Sequence, residues 1–394
     1  MDPAQKQQNS LDPYATVESI HDICTGCRVC ENVCPQNCIH FEYDKECFIY
    51  PVIDKEKCIS CGLCLKKCHI NHKKPELNTS TSAFYGYAKD ESLRLKGSSG
   101  GAFGAIVALL QKLHGTTWVF GSIYDSVDGS VHQQGFISRE IESLYQSKYV
   151  FSDTRNTFNE VKAKLKEGCR VIYCGTPCQI GALKCYLEEA DKNLITIDFI
   201  CHGVPSDDFI RRHIEYVTNN SQNISIEFRS KAFGWGLHKY CLKINNHSGK
   251  TIYLKKAGQD FFFTHFLNND CLRLGCYHCH YSNRHVSDLT LGDFWEVSRI
   301  DPAFDDAKGL SVIFANTKCG KEIVEQLSTV MTLKKCPPEY KRSHCGCKPE
   351  MLKNRNDFFK QLEKVGLKNL EHRFKRKRIV LVTRKVISRF LKKL

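Results

Sequence analysis

Two cysteine runs with the same spacing constrain most strongly how this chain can fold. The first reads Cys24-x2-Cys27-x2-Cys30-x3-Cys34-Pro35, and the second reads Cys58-x2-Cys61-x2-Cys64-x3-Cys68. The chain has 23 cysteines among 394 residues, against 3 methionines. Thiols that served only as small core residues would be fewer and less regularly spaced. The two runs therefore predict a site built on sulfur.

The start of the chain argues against disulfides. Residues 1–17 are polar and lack the basic and apolar segments of an export signal. The longest nearly apolar run, residues 102–110, is too short to cross a membrane. We therefore expect a cytoplasmic protein, in which thiols stay reduced and clustered cysteines more often bind metal.

The spacing is that of a bacterial two-cluster ferredoxin. In such a run, three thiolates of one loop bind one cubane, and the fourth cysteine reaches the other cluster. One [4Fe–4S] cluster is therefore assigned to Cys24, Cys27, Cys30 and Cys68, and the second to Cys58, Cys61, Cys64 and Cys34. A pair of zinc knuckles is the alternative, which the matching positions of Gly26 and Gly62 disfavour. Cys38 and Cys47 fall outside both patterns and are predicted to be buried or spare thiols.

Residues 83–333 alternate β-rich and helical segments, which predicts an α/β domain. Strands are predicted over 117–124, 170–173, 194–200, 224–229, 239–244 and 310–315, and helices over 102–113, 155–167, 178–189 and 206–218. Polar residues 71–82 indicate a linker. The predicted domains are a ferredoxin module over 15–75, the N-terminal and C-terminal parts of the core over 83–165 and 166–335, and a helical basic tail over 351–394 that begins with a helix over 351–368.

Further cysteines follow two predicted strands of the core. The first strand runs into Cys174-Gly-Thr176-Pro177-Cys178, where Thr176 suits a helix N-cap and Pro177 the first helical position. The second strand runs into Cys201. If the two strands are parallel, their carboxyl ends share one edge of the sheet and bring Cys178 close to Cys201.

A tight pair, Cys276-x2-Cys279, supplies two more thiols. We predict a third [4Fe–4S] cluster held by Cys178, Cys201, Cys276 and Cys279, with Cys174 and Cys271 as alternates. A zinc site that uses His278 or His280 is the competing interpretation. Cys336, Cys345 and Cys347, near His344, are predicted to be unpaired thiols, with a fourth metal site as the alternative.

A glycine-rich segment, residues 96–103, precedes the first helix of the core. Its backbone N–H groups suit a phosphate or a flavin edge, although a plain glycine-rich turn fits equally well. Together with later motifs, this segment resembles the coenzyme F420 hydrogenase/dehydrogenase beta-subunit family over about residues 83–330. The motifs are 96–103, Gly175-Thr-Pro-Cys-Gln-Ile180, Cys201-His-Gly-Val-Pro-Ser206, Phe228-Arg-Ser-Lys231 with Gly234-Trp235, Cys276-x2-Cys279 and 288–295.

The resemblance implies an α/β (α+β) flavoprotein core, to which the two cysteine runs add an N-terminal bacterial-type 2x[4Fe–4S] ferredoxin domain. It also implies FAD, and electron transfer between the clusters and a two-electron organic acceptor. The residues it places at the flavin are Gly97, Ser98, Ser99, Gly100, Gly101, Gly175, Thr176 and Pro177. His202 and Lys96 are candidate catalytic residues, and Arg229 and Lys231 are candidate polar groups, with surface positions as the alternative for each lysine or arginine.

The fused ferredoxin module departs from the minimal beta subunits, which lack one, so the electron donor or acceptor protein is left open. Bacterial relatives with such a module are similar to proteins found beside polysaccharide pyruvyl transferases, which would link the chain to polysaccharide biosynthesis. Nothing in the sequence indicates a deazaflavin as the small-molecule substrate. The alternative function is an electron-transfer subunit that docks on a separate enzyme and has no substrate of its own.

Positive charge is concentrated at the end of the chain. Residues 371–394 hold ten lysines and arginines and one acid, a net +9 of the total +14. Apolar residues alternate with these cations, which fits a basic amphipathic helix in peripheral contact with the inner membrane surface, or a solvated helix that packs one face on the body. Nucleic-acid binding is disfavoured because the body adds no comparable basic patch.

Overall fold

The structure is a computed structural model that describes residues 16–72, 81–189, 191–337, 340 and 354–391; in the last range, side chains are described from 355 to 376. Residues 73–80 of the predicted linker, and His344, Cys345 and Cys347, lie outside the described residues. The fold is mixed α/β, as predicted.

The described strands are β1 (Ile39–Tyr43), β2 (Ile49–Ile53), β3 (Ser82–Ala88), β4 (Trp118–Tyr124), β5 (Val131–Ile137), β6 (Val171–Cys174), β7 (Leu194–Phe199), β8 (Ser225–Ser230), β9 (Cys241–Asn245), β10 (Thr251–Lys256), β11 (Leu289–Asp293), β12 (Ser311–Ala315) and β13 (Met331–Lys335). The described α-helices are α1 (Val29–Asn32), α2 (Leu63–Lys66), α3 (Glu91–Lys96), α4 (Ala102–His114), α5 (Thr157–Lys166), α6 (Pro177–Leu187), α7 (Asp207–Thr218), α8 (Phe261–Leu267), α9 (Leu274–Tyr277), α10 (Val297–Ile300), α11 (Lys318–Leu327) and α12 (Asn354–Leu391). Each strand and helix predicted over 83–333 has a counterpart whose ends differ by at most two residues.

A mixed sheet forms the centre of the core, with strand order β13-β3-β12-β11-β7-β6-β4-β5. Strands β4, β6, β7 and β11 are parallel, and the others pair antiparallel. One face packs on α4 and α11, and the other packs on α5 and α6. Residues on both sides of position 165 therefore contribute to one sheet.

The parallel pairing of β6 and β7 confirms the arrangement expected for the strands that precede Cys178 and Cys201. Thr176 caps α6 by accepting a hydrogen bond from the Gln179 backbone, while the Gln179 side chain returns to the Thr176 N–H. Pro177 occupies the first helical position, where its missing N–H costs nothing. These local preferences place Cys178 in the first turn of α6.

A second layer contains the antiparallel sheet β10-β9-β8 together with α7, α8 and α12. Its core is rich in aromatic side chains, among them Phe209, Phe262 and Phe263, which are fully buried. The helix predicted over 351–368 is confirmed from Asn354; it breaks at Gly366 and then continues to Leu391. No helix in the described part of the chain is long and apolar enough to span a membrane.

The ferredoxin module, residues 16–72, packs closely on the core. Arg28 forms a bidentate ion pair with Asp153, at 2.5 and 2.9 Å. At the opposite end of the chain, the buried Arg355 of α12 pairs with Glu46 of the module. Because these arginines are largely removed from water, the contacts hold the module in a defined position.

Candidate functional site

The four cysteines assigned to the first cluster lie together. Burial raises the pKa of the Cys27 thiol to about 12, and neighbouring Cys68 and Cys24 add to the shift. Burial likewise raises the pKa of Cys30, with contributions from Cys27, Cys24 and Cys68. The crossed pattern of the sequence, in which Cys68 joins the first run, is therefore present in the fold.

The second set also lies together, around a pocket between the two runs. Cys34, Cys58, Cys61 and Cys64 line this pocket, and Cys61 is exposed. Cys38 is buried, as predicted, but it lines the same pocket, with its Sγ 3.4 Å from that of Cys34. The sequence spacing did not reveal this fifth neighbouring thiol.

The third set surrounds a cavity of about 70 Å³ at the carboxyl edge of the parallel strands. Cys178, Cys201, Cys276 and Cys279 all line it, as do His278 and His280. Burial raises the pKa of Cys178 and of Cys276 to about 12. For Cys201, burial and then the neighbours Cys276, Cys178 and Cys279 raise the pKa well above its ordinary value.

The two alternate cysteines lie elsewhere. Cys174 lines a different and larger cavity, and Cys271 is buried near Asp270 and Arg355. The structure therefore groups the four residues that were preferred for the third cluster.

The thiol-rich sets suit clusters in their chemistry. Among the described residues, no three His, Cys, Asp or Glu side chains form a group suited to a single metal ion. In a cubane, each thiolate binds a different iron, so the four sulfur atoms need not converge on one point. Iron would also hold these buried sulfurs as thiolates, which burial alone disfavours.

The first and third sets are neighbours. Thr25 and Ile70 of the module line the cavity of the third set. Cys27 contributes to the electrostatic environment of Cys178. At Gly275, an added Cβ would lie 2.8 Å from the carbonyl oxygen of Cys24, so the two backbones touch.

A larger cavity, of about 370 Å³, lies on the other side of the third set. It shares Thr176, Cys201 and His202 with the smaller cavity. Of the residues predicted to contact a flavin, those that line the larger cavity are Gly97, Ser98, Ser99, Gly101 and Thr176. Gly100 and Gly175 are outside its lining, and Pro177 lines only the smaller cavity.

The candidate catalytic residues differ in their placement. His202 lines both cavities, its Nε2 lies 3.2 Å from the Phe266 carbonyl, and burial lowers its pKa. Lys96 is exposed, pairs with Glu142 at 2.6 Å, and is not part of either lining.

The two basic residues of the 228–231 motif have structural partners. Arg229 is buried and lines the larger cavity, where it pairs with Asp293 at 2.9 Å and stacks on Tyr240 and Trp295. Lys231 donates hydrogen bonds to the carbonyls of Ser99 and Arg94, at 2.7 and 2.8 Å, and so holds the glycine-rich segment.

Sequence reasoning missed Lys148, which lines the larger cavity and donates a hydrogen bond to the Ser143 carbonyl at 2.6 Å. Burial lowers its pKa to about 7. The neighbouring Ser147 N–H donates to Ser98 Oγ at 2.9 Å, which ties this segment to the glycine-rich one. Lys148 lies in irregular structure, so no periodicity or spacing distinguished it.

Comparison with known families gives one match in the core and another in the N-terminal cysteine-rich region. Residues 168–340 match the family model for the C terminus of the coenzyme F420 hydrogenase/dehydrogenase beta subunit, and residues 23–71 match that of the 4Fe-4S dicluster domain. The chain is thus similar to one family in its core and to the other in its N-terminal region. The resemblance predicted from the motifs is thus confirmed over residues 168–340, and the matches support an iron–sulfur protein of the oxidoreductase type related to the F420 hydrogenase beta subunit.

Two known proteins illustrate these similarities. A ferredoxin from Rickettsia felis is 37% identical over 59 residues, which are 14% of this chain and 50% of that protein. The chain thus spans about half the length of this relative. A chain in a solved structure of the F420-reducing [NiFe] hydrogenase complex from Methanosarcina barkeri is 16% identical, with a TM-score of 0.47, over 76% of this chain and 92% of that chain.

Proposed function

We propose that this iron–sulfur protein is an FAD-dependent oxidoreductase that passes electrons between its ferredoxin module and a two-electron organic acceptor. The observation that carries the proposal is that the three cysteine sets and the larger cavity adjoin one another in series. The second set in the module, in which Cys61 is exposed, is followed by the mostly buried first set, the third set in the core and the larger cavity.

Each pair of neighbouring sites in this series is connected by particular residues. Cys34 belongs to the run of the first set but lines the pocket of the second set. Thr25, beside Cys24, lines the cavity of the third set. Cys201 lines both core cavities, so a cluster bound there would adjoin a group in the larger one.

The residues of the larger cavity fit a flavin. Gly97, Ser98 and Ser99 line it just before α4, and an N-terminal helix end favours the phosphates of FAD. Gln146 also lines the cavity, and its buried Oε1 has no hydrogen-bond partner among the described residues, which suits a donor on a bound group. When bound, a flavin would exchange single electrons with a cluster and an electron pair with an organic molecule.

Within this proposal, His202 is the candidate proton donor or acceptor, because it lies where the two cavities meet. Lys96 is assigned no step, since its ammonium pairs with Glu142 outside the cavity. The organic acceptor belongs to the proposal too, as does a link to polysaccharide biosynthesis, which rests on the resemblance of the fused architecture alone.

The test is anaerobic reconstitution of the full chain with iron, sulfide and FAD. We expect about twelve irons per chain, noncovalent FAD, and reduction of both chromophores by a ferredoxin-type donor. Replacing Cys276 and Cys279 by alanine should lower the iron content by about a third and leave the module spectrum intact. Cys169→Ala, outside the three sets, is the matched control. Zinc at the Cys276 and Cys279 pair, with the iron content unchanged, would contradict the third cluster.

A second candidate function, an electron-transfer subunit without its own substrate, is favoured by one observation. Three large apolar residues of the larger cavity's lining, Phe199, Leu237 and Leu267, are exposed. Exposed apolar side chains grouped at a cavity suit a protein partner. Reduction of a small organic acceptor by the chain alone supports the first function, whereas turnover only after a second protein is added supports this one.

The positive charge of the basic tail bears on where the protein acts. We infer that residues 377–394, with seven lysines and arginines and no acid, attract an anionic membrane surface. Peripheral attachment would place the enzyme near membrane-bound substrates without a spanning helix.

A further inference from the structure

Charge in the larger cavity is unevenly compensated. Its lining contains one lysine and one arginine, Lys148 and Arg229. Arg229 has a carboxylate partner in Asp293. For Lys148, the described residues supply no carboxylate within ion-pair distance, and its one described hydrogen bond goes to the Ser143 carbonyl. An ammonium in this setting is suited to a bound anion.

Lys148 lines the same cavity as Cys201, which belongs to the third set. Its charge interacts with Cys174, the last residue of β6. Two residues further on, the Thr176 hydroxyl lies 3.1 Å from Cys178 Sγ. The end of a bound cofactor that exchanges electrons with a cluster at Cys178 therefore belongs near Lys148.

We propose that Lys148 is a positioning residue whose ammonium stabilises the negative charge of the reduced flavin. An oxidised flavin that takes up two electrons from reduced clusters and one proton becomes an anionic dihydroflavin. Two cluster electrons and one solvent proton balance that step, and no bond to the protein forms. A fixed cation beside the ring favours the reduced form over the oxidised form and raises the flavin potential.

Lys148 is half-buried, which strengthens this interaction. Desolvation lowers its pKa to about 7, because removal from water disfavours the ammonium. A nearby anion would stabilise that ammonium. The hydrogen bond between Ser147 and Ser98 fixes its segment against the glycine-rich one. Lys231 holds the other side of that segment through Ser99, so both flanks of the proposed flavin site are anchored.

The inference rests on the proposed FAD, and its test separates the two. Lys148→Met, Lys148→Arg and the exposed control Lys112→Met are prepared as full chains and reconstituted with clusters and FAD. Affinities for oxidised and dithionite-reduced FAD are measured, together with the flavin midpoint potential. We expect Lys148→Met to weaken the binding of reduced FAD at least tenfold more than the binding of oxidised FAD. This difference corresponds to a fall of about 30 mV in the midpoint potential of a two-electron couple. Lys148→Arg should restore most of the shift, and Lys112→Met should cause none.

The contrary outcomes are distinct. Equal weakening of oxidised and reduced FAD would show that Lys148 contacts the phosphates, and it would overturn the inference. An unchanged potential in Lys148→Met would overturn it as well, while the proposed function would stand. If the wild-type chain assembles its clusters but binds no FAD, the proposed function itself fails.

Discussion

Arg273 of the core donates a hydrogen bond from Nε to the carbonyl oxygen of Cys24 in the module, at 2.7 Å. Its Nη2 donates to the Ile49 carbonyl at 2.6 Å, and its guanidinium stacks on Tyr50. Arg273 immediately precedes α9, which carries Cys276. One side chain therefore sets the spacing between a ligand candidate of the first set and one of the third.

Arg273→Met should loosen this docking. The change leaves two buried carbonyls without their donor, and hydrogen bonds from charged groups contribute about 1.5–3 kcal/mol each. We expect a loss of about 3–6 kcal/mol in the free energy of unfolding, measured by urea denaturation, and faster proteolysis between module and core. Arg299→Met, at an exposed position of α10, is the control. Equal denaturation midpoints for the two variants would rule out the docking role.

Local sequence signals predicted much of the fold. Strands β6 and β7 are short apolar runs that end in Cys-containing loops, and α6 begins with the Thr176 and Pro177 signals of a helix start. The three cysteine sets followed from spacing and from the shared edge of parallel strands. These features depend on residues close in sequence, or on one general rule of sheet topology.

Several of the missed features depend on distant partners. Strand β3 follows a polar segment and becomes a strand by pairing with β12 and β13, more than 200 residues away. Strand β11 contains the polar residues Thr290 and Asp293, which are satisfied by Asp198 and Arg229. Cys38 and Lys148 join their sites only through the fold, so no motif marked them.

The glycine-rich segment is predicted to be rigid before any flavin binds. Gly101 has φ +80°, and an added Cβ would lie 2.8 Å from the Arg94 Cα. Gly62, at the start of α2, has φ +67° in the same left-handed region as Gly101, with nothing within 4 Å of such a Cβ. The pair separates backbone strain from crowding.

Gly62→Ala should therefore cost about 1–2 kcal/mol for the left-handed backbone alone. Gly101→Ala should cost about 1–3 kcal/mol more, because the neighbouring backbone must also move. Both values are read from urea unfolding of the flavin-free protein. If the two variants unfold alike, or if Gly101→Ala is destabilised only when FAD is present, the packing account is wrong.

A buried ionic network fixes α12 on the second layer. His213 of α7 lies between Asp260 and Glu371, 2.9 Å from each. Burial opposes the imidazolium charge, but the two carboxylates outweigh it and raise the pKa of His213 to about 9. Burial alone would raise the pKa of Asp260, but the charge and hydrogen bond of His213 hold the pKa of that carboxyl below its ordinary value.

The sign of the pH dependence follows from these shifts. Between about pH 6.5 and 9, the folded chain keeps a proton on His213 that the unfolded chain releases, so stability falls as pH rises. The Asp260 contribution is lost only in acid, as pH falls through its lowered pKa. We expect the thermal midpoint to decline across the alkaline window.

His213→Gln should remove that alkaline slope. It leaves the buried Asp260 without its cation, while Glu371 keeps only Lys375, at a cost of about 3–5 kcal/mol. His238→Gln, at an exposed position, is the control and should keep both slope and stability. An unchanged slope in His213→Gln would assign the pH dependence to another group.

The membrane prediction requires a truncation that spares the packed part of α12. Glu371 is buried against His213, and the Phe374 ring lies 5.4 Å from that of Phe261, so the cut belongs after Arg376. The removed residues carry seven cations, each contributing about 1 kcal/mol near an anionic leaflet.

We expect the full chain to cosediment with anionic vesicles at 0.1 M salt and to be released at 1 M, where the Debye length falls from about 10 to about 3 Å. Neutral vesicles should retain neither protein, and the truncated chain should stay in solution with its iron and flavin contents unchanged. Equal sedimentation of the full and truncated chains on anionic vesicles would show that residues 377–394 do not direct membrane contact.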